Sequence, residues 1–159
     1  MTHKLTPNQK APSLSVKTVS GETWTLTEQS PQNYTLIVFY RGVHCPICQS
    51  YLADLEQKLD QFQKLGVEAI AISGDNFDKA KQAKTEWGLD SLKVGYGQTL
   101  DSMRQWGLYI SKAAFDYEPQ IFAEPGLFLI KPDHTIYYIA LNNAPFARPR
   151  FEDLLGGLE

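Results

Sequence analysis

Tyr34-Thr-Leu-Ile-Val-Phe-Tyr-Arg-Gly-Val-His-Cys-Pro-Ile-Cys48 runs from an uncharged, β-branched and aromatic stretch straight into two cysteines three positions apart. Residues 34–40 have the composition of a buried strand. Beyond them Ile47, Tyr51, Leu52, Leu55, Leu59, Phe62 and Leu65 recur at helical spacing, with Asp54, Glu56, Lys58 and Asp60 mostly on the opposite face. Gly66 provides the stop. Pro46 suits the first helical position, which makes Cys45 the N-cap and sets Cys48 one turn in. A strand ending directly in a dithiol-bearing helix start is the centre of the fold.

The first turn of a helix presents unpaired N–H groups and the positive end of the macrodipole. A thiolate held there is stabilised, and Cys-x-x-Cys pairs can bring a cysteine pKa well below about 8.5. Cys45, at the cap, is expected to be the more exposed sulfur. Arg41 is placed to steady the thiolate, and His44, with a pKa near neutrality, to exchange a proton. A solvent-facing histidine and an exposed strand-end arginine are the bland readings of the same two residues. Cys45 and Cys48 are the only cysteines in 159 residues. They could also be small apolar residues or zinc ligands, but a closed zinc site needs about four ligands. Only His3, His44 and His134 could complete one, without a His-x₃₋₅-His spacing. A reversible dithiol is the favoured reading.

At 18.0 kDa the chain fits one domain, residues 1–159, with room for a substantial core. A formal charge of −3 and a pI near 5.6 argue against nucleic acid or anionic membrane as the main partner. No run approaches the roughly 20 apolar residues of a membrane span. Met1–Lys10 lacks the apolar core of a secretory signal, so the cytoplasm is the expected compartment and a persistent structural disulfide is not expected.

Along the chain, Leu14, Val16 and Val19 suggest a first edge strand, and Glu22–Leu26 alternates with period two. After the central strand and long helix come a second buried strand at Val67–Ile72 and a capped turn at Ser73–Asn76. A helix to about Trp87, a short strand at Leu92–Tyr96 and a short helix around Leu100–Trp106 follow. Residues 107–124 are the least readable and are expected to be partly packed. Gly126–Ile130 and Thr135–Leu141 flank Pro132-Asp-His134 as a β-hairpin, and Pro149, Phe151, Leu154 and Leu155 outline a last helix. Strand–helix–strand units with an added hairpin predict α/β architecture, a central mixed sheet with helices on both faces. Trp24, Trp87 and Trp106 sit in apolar patterns and are expected in the core or at an interface, not as ligand contacts.

These residues together resemble the thioredoxin-like superfamily, and within it the peroxiredoxin-like proteins of the alkyl hydroperoxide reductase/thiol-specific antioxidant family. Asn8-Gln-Lys-Ala-Pro12 is similar to that family's opening Gly-x-x-Ala-Pro, and Ile37–Cys48 to its strand-to-active-helix segment. Glu124-Pro-Gly-Leu-Phe-Leu-Ile-Lys-Pro-Asp-His134 resembles its later segment, and Arg148-Pro149, which could simply shape the start of the last helix, also matches. Three departures stand out. The family's Pro-x-x-x-Thr-x-x-Cys falls on Arg41, Cys45 and Cys48, so both Pro and Thr are replaced. Its usual arginine falls on Pro125, which instead resembles the cis-proline of thioredoxins, facing the dithiol beside a backbone edge for a peptide. The buried Asp of thioredoxins is replaced by Phe39.

The resemblance implies a thioredoxin-like fold and a thiol oxidoreductase with Cys45 and Cys48 as redox residues, shaped by Arg41, His44 and Pro125. Its substrate would be a hydroperoxide or a protein disulfide, and its reductant a thioredoxin- or glutaredoxin-type dithiol, with no flavin or metal cofactor. The thioredoxin likeness and helix-terminus physics favour Cys45 as the attacking sulfur; the peroxiredoxin likeness favours Cys48. Cys45 is preferred, and both routes end in the same disulfide. A redox-sensing interaction protein and a structural domain with a vestigial site are the alternatives. Surface aromatics would permit a homodimer.

Overall fold

The computed structural model describes residues 4–144, 146 and 148–159; His3 lies outside them. Among the described residues, nine strands and four α-helices follow in chain order: β1 (Ser15–Thr18), β2 (Thr23–Thr25), β3 (Tyr34–Phe39), α1 (Pro46–Lys64), β4 (Val67–Ile72), α2 (Phe77–Glu86), β5 (Lys93–Tyr96), α3 (Leu100–Gln105), β6 (Ile110–Lys112), β7 (Ile121–Ala123), β8 (Gly126–Ile130), β9 (Ile136–Leu141) and α4 (Phe151–Leu158). Seven strands form one sheet in the order β2-β1-β5-β4-β3-β8-β9, and β6 and β7 form a separate ribbon. β3 lies between β4, paired parallel with Ile37 opposite Ile70, and β8, paired antiparallel with Ile37 opposite Phe128. No helix of the described residues is long and apolar enough to cross a membrane.

Strand periodicity divides β3 between two cores. Leu36, Val38 and Tyr40 point into one cluster with Leu52, Leu55 and Phe62 of α1, Ala80 and Ala83 of α2, and Phe151 and Leu155 of α4. Ile37 and Phe39 point into the other, with Met103 and Trp106 beside α3, Phe128 of β8 and the N-terminal Leu14 and Val16. Three helices therefore cover one face and α3 the other, a mixed sheet with helices on both sides as its pattern requires. Leu52 and Leu55 are fully buried, each contributing about 1.5–3 kcal/mol by removal from water. Trp24, Trp87 and Trp106 are all core residues. α1 ends where expected: Gly66 takes a φ of +74° and its N–H donates to the Gln63 carbonyl at 2.9 Å.

Two segments depart from their sequence reading. The first strand is internal, because the chain turns at Gly21 and β2 takes the edge. Residues 107–124 fold back as the β6–β7 ribbon, with Ile110 opposite Ala123 and Lys112 opposite Ile121. Its strands are too short and too exposed on their outer faces to show an alternating pattern. This ribbon and the residues flanking its second strand pack against Arg41 and His44 beside the dithiol.

Candidate active site

The dithiol sits where β3 leaves the sheet. The Tyr40 N–H still pairs with the Ile72 carbonyl at 3.0 Å; the chain then turns through Gly42, and the Cys45 N–H donates to the Gly42 carbonyl at 3.2 Å. Asp75, buried at the start of the loop into α2, accepts the Val43 N–H at 2.8 Å and pins the turn. Gly42 has a φ of +141°, and a Cβ there would lie 2.7 Å from Asp75 Oδ1 and 3.0 Å from His44 Nδ1. Gly42→Ala is expected to cost on the order of 1–3 kcal/mol and to displace the helix start. Thermal unfolding and Cys45 alkylation check this; an unchanged midpoint with unchanged alkylation contradicts it.

Cys45 is the N-cap of α1, with Pro46 in the first turn, and its sulfur accepts the Cys48 N–H at 3.4 Å. Both cysteines are free thiols. The expectation of an exposed Cys45 is corrected: it is 1% exposed and Cys48 0%. The covering group comes from the approach to α4. Arg148 Nη2 stands 2.9 Å from Cys48 Sγ and 4.0 Å from Cys45 Sγ, and its guanidinium carbon lies 4.9 Å from the centre of the Tyr51 ring. Tyr51 in turn donates its hydroxyl to the Pro149 carbonyl at 2.5 Å, seating that segment on α1. Arg148 thus does more than shape the start of the last helix.

The two sulfurs divide one proton unequally. The hydrogen bond from the Cys48 thiol lowers the Cys45 thiol most; the Cys48 N–H, Arg41 and Arg148 assist, and against burial they bring it to about 5. Burial, then the proton lent to Cys45, push Cys48 the other way and outweigh the pull of Arg148. The environment therefore favours a Cys45 thiolate beside a Cys48 thiol.

Arg41 is not a loose strand-end residue. Its Nη1 lies 3.9 Å from Cys45 Sγ, its Nε 3.0 Å from Glu124 Oε1 and its Nη2 3.3 Å from Glu118 Oε2. The Phe122 ring packs 4.6 Å from its guanidinium carbon. The same ring meets His44 edge-on at 4.9 Å. Burial first, and then repulsion by Arg41, lower the His44 pKa to about 4, so its expected proton exchange near neutrality is corrected. The unfolded chain takes up that proton near pH 6.5 and the folded one does not. Stability contributed by neutral His44 is therefore complete above pH 6.5 and drains as acid approaches pH 4.

The cis-proline expectation is also corrected: the described residues contain no cis peptide bond, so the bond into Pro125 is trans. Its backbone surroundings are occupied as well. The Glu124 N–H donates to Tyr109 at 2.7 Å and the Pro125 carbonyl accepts the Asn142 N–H at 3.0 Å, so both groups are tied within the chain instead of facing a peptide. A groove of about 1030 Å³, lined by Leu5, Tyr109 and Tyr137 among others, lies away from the dithiol. A cavity of about 200 Å³ on the α4 side is lined by Ile47, Tyr51, Phe146 and Arg148 among others, and its lining includes neither cysteine. Sequence reasoning missed Glu118, Phe122, Glu124 and the contact made by Arg148. Only the familiar Arg148-Pro149 pair offered a signal.

A thioredoxin-like sheet whose central strand delivers a thiolate to a helix N-cap between two arginines defines a peroxiredoxin-type thiol oxidoreductase. The family model described as "AhpC/TSA family" matches residues 7–139, and the chain belongs to that family of thiol peroxidases. A candidate peroxiredoxin of Mycobacterium tuberculosis (strain H37Rv) is 23% identical over 120 residues, covering 64% of this chain and 76% of the relative. Among solved structures, reduced Prx3 of Vibrio vulnificus in complex with H₂O₂ superposes with a TM-score of 0.82 at 14% identity, covering 98% of this chain and 100% of that one. The peroxiredoxin-like protein of Aquifex aeolicus gives 0.80 at 15%, covering 98% and 87%. These two likenesses concern the fold.

Proposed function

We propose that this protein reduces small hydroperoxides through Cys45, with Cys48 as the resolving thiol and an external thioredoxin- or glutaredoxin-type dithiol as the reductant. The observation that carries this reading is the N-cap position of Cys45, whose sulfur takes the Cys48 N–H and stands within 4.0 Å of both Arg41 and Arg148. The Cys45 thiolate attacks one peroxide oxygen, the O–O bond breaks, and the departing alkoxide takes up a proton to leave as an alcohol, or as water. Cys45 is left as a sulfenic acid. The Cys48 thiol then attacks that sulfur, forming the disulfide and expelling water. The external dithiol reduces this disulfide by exchange and is itself oxidised. Arg41 and Arg148 are placed to stabilise negative charge, first on the thiolate and then on the departing oxygen.

Burial favours a hydroperoxide over a protein disulfide as oxidant. A small peroxide needs only a narrow path to the sulfur, whereas a peptide needs an exposed sulfur and a free backbone edge. Exchange with the reductant then requires the first turn of α1 to open.

Trapping identifies the attacking sulfur. One equivalent of hydrogen peroxide is added to Cys48→Ser and to Cys45→Ser, with a sulfenic-acid-directed probe present. The adduct is expected on Cys45 in the first variant and absent from the second; an adduct on Cys48 in Cys45→Ser overturns the assignment. In the reduced wild-type protein, Cys45 alkylation follows the thiolate fraction. It should rise with pH to half its maximum near pH 5 and be flat above neutrality. A rate still climbing through pH 8–9 contradicts this.

A further inference from the structure

Glu124 contributes no atom to the dithiol, yet the residue is 3% exposed; its Oε2 accepts the Ser111 hydroxyl at 2.6 Å, and its Oε1 stands 3.0 Å from Arg41 Nε in an ion pair without hydrogen-bond alignment. Glu118 is anchored too, its Oε1 accepting the Ala114 and Phe115 N–H groups at 2.9 and 3.1 Å while Oε2 meets Arg41 Nη2. With Phe122 against its face, the Arg41 guanidinium is fixed along two edges and one face. The nitrogen left over, Nη1, is the one directed at Cys45. Two carboxylates beside a reacting thiolate oppose it through their charge. Their presence is intelligible if holding an arginine in a set plane outweighs that opposition, because a planar fork acts only along its own directions.

We infer that Glu124, supported by Ser111 and by Glu118, is a positioning residue that aims Arg41 at Cys45, making the β6–β7 ribbon part of the peroxidase machinery. The inference rests on Cys45 as the attacking sulfur. Its test turns on a sign. If Glu124 acted only through its negative charge, removing that charge would ease ionisation of Cys45 and move the alkylation midpoint down. If it acts by holding Arg41, its loss lets the guanidinium leave the sulfur and the midpoint moves up.

The reduced Glu124→Gln protein is alkylated across pH 3.5–8, with modification of Cys45 read by peptide mass. The midpoint is expected to rise by about one pH unit, slowing reaction at pH 5 by about fivefold. Ser111→Ala, which leaves the ion pair in place, should produce a smaller rise, and it serves if Glu124→Gln does not fold. In an Arg41→Met background, Glu124→Gln should no longer raise the midpoint and should lower it slightly, since the arginine it positions is gone and only the carboxylate's opposing charge is removed. A midpoint that falls or stays put in Glu124→Gln overturns the inference, and so does an equal rise in the Arg41→Met background. Failure of the Cys45 assignment is visible separately, as an adduct on Cys48 in the trapping experiment.

Discussion

Cys45→Ser is expected to lose steady-state hydroperoxide reduction by at least about a thousandfold, measured as peroxide-dependent oxidation of a thioredoxin system. Serine keeps the cap, since its oxygen can still accept the Cys48 N–H that Cys45 Sγ accepts at 3.4 Å. The fold is retained and only the nucleophile is removed. Cys48→Ser should behave differently. Its first turnover proceeds because the Cys45 thiolate and both arginines remain, and serine can still donate a hydrogen bond to that sulfur. It then stalls as a sulfenic acid that no neighbouring thiol condenses with, and further peroxide drives it to the sulfinic acid. Equal first-turnover rates in Cys45→Ser and wild type would end the assignment. Sustained turnover by Cys48→Ser would show that the disulfide is not on the catalytic path.

Arg148→Met is the second large effect. Arg148 Nη2 lies at 2.9 Å from Cys48 and 4.0 Å from Cys45. An opposite charge at such range moves a thiol pKa by about 1–3 units. Loss of the guanidinium is expected to raise the Cys45 midpoint by about one, lowering the thiolate fraction about fivefold at pH 5, about twofold at pH 6 and hardly at all at pH 9. The peroxide rate should follow, with a further loss at every pH if Arg148 also stabilises the departing oxygen. Arg148→Lys keeps the charge but not the fork, so it should recover the low-pH thiolate more fully than the rate. Unchanged alkylation and unchanged turnover of Arg148→Met at pH 6 would remove Arg148 from the site.

Much of the centre was legible because its signals are local. Proline at the first helical position, a period of 3.6 from Tyr51 to Phe62, and an uncharged β-branched strand before it each depend on neighbours within a few residues. They place Cys45 at a cap and Cys48 one turn inside. Ile47 shares the period but is 43% exposed, because the helix start projects beyond the sheet and lines the small cavity beside Arg148. His44 was readable in position and not in charge, since its pKa is set first by burial, which residues far along the chain such as Phe122 supply, and then by Arg41.

What the order of residues determined by itself is the strand, the turn, the cap and the dithiol, together with a mixed sheet to hold them. Backbone geometry and side-chain periodicity act over short stretches of chain, and no distant partner is needed to set them. Only the tertiary structure decided that the sulfurs are covered, that Arg148 reaches Cys48 across 100 positions, and that Glu118 and Glu124 hold Arg41 from a ribbon with almost no pattern of its own. Those contacts join segments that the sheet brings together. Their chemistry lies in charge and distance, which residue spacing along a single chain does not encode.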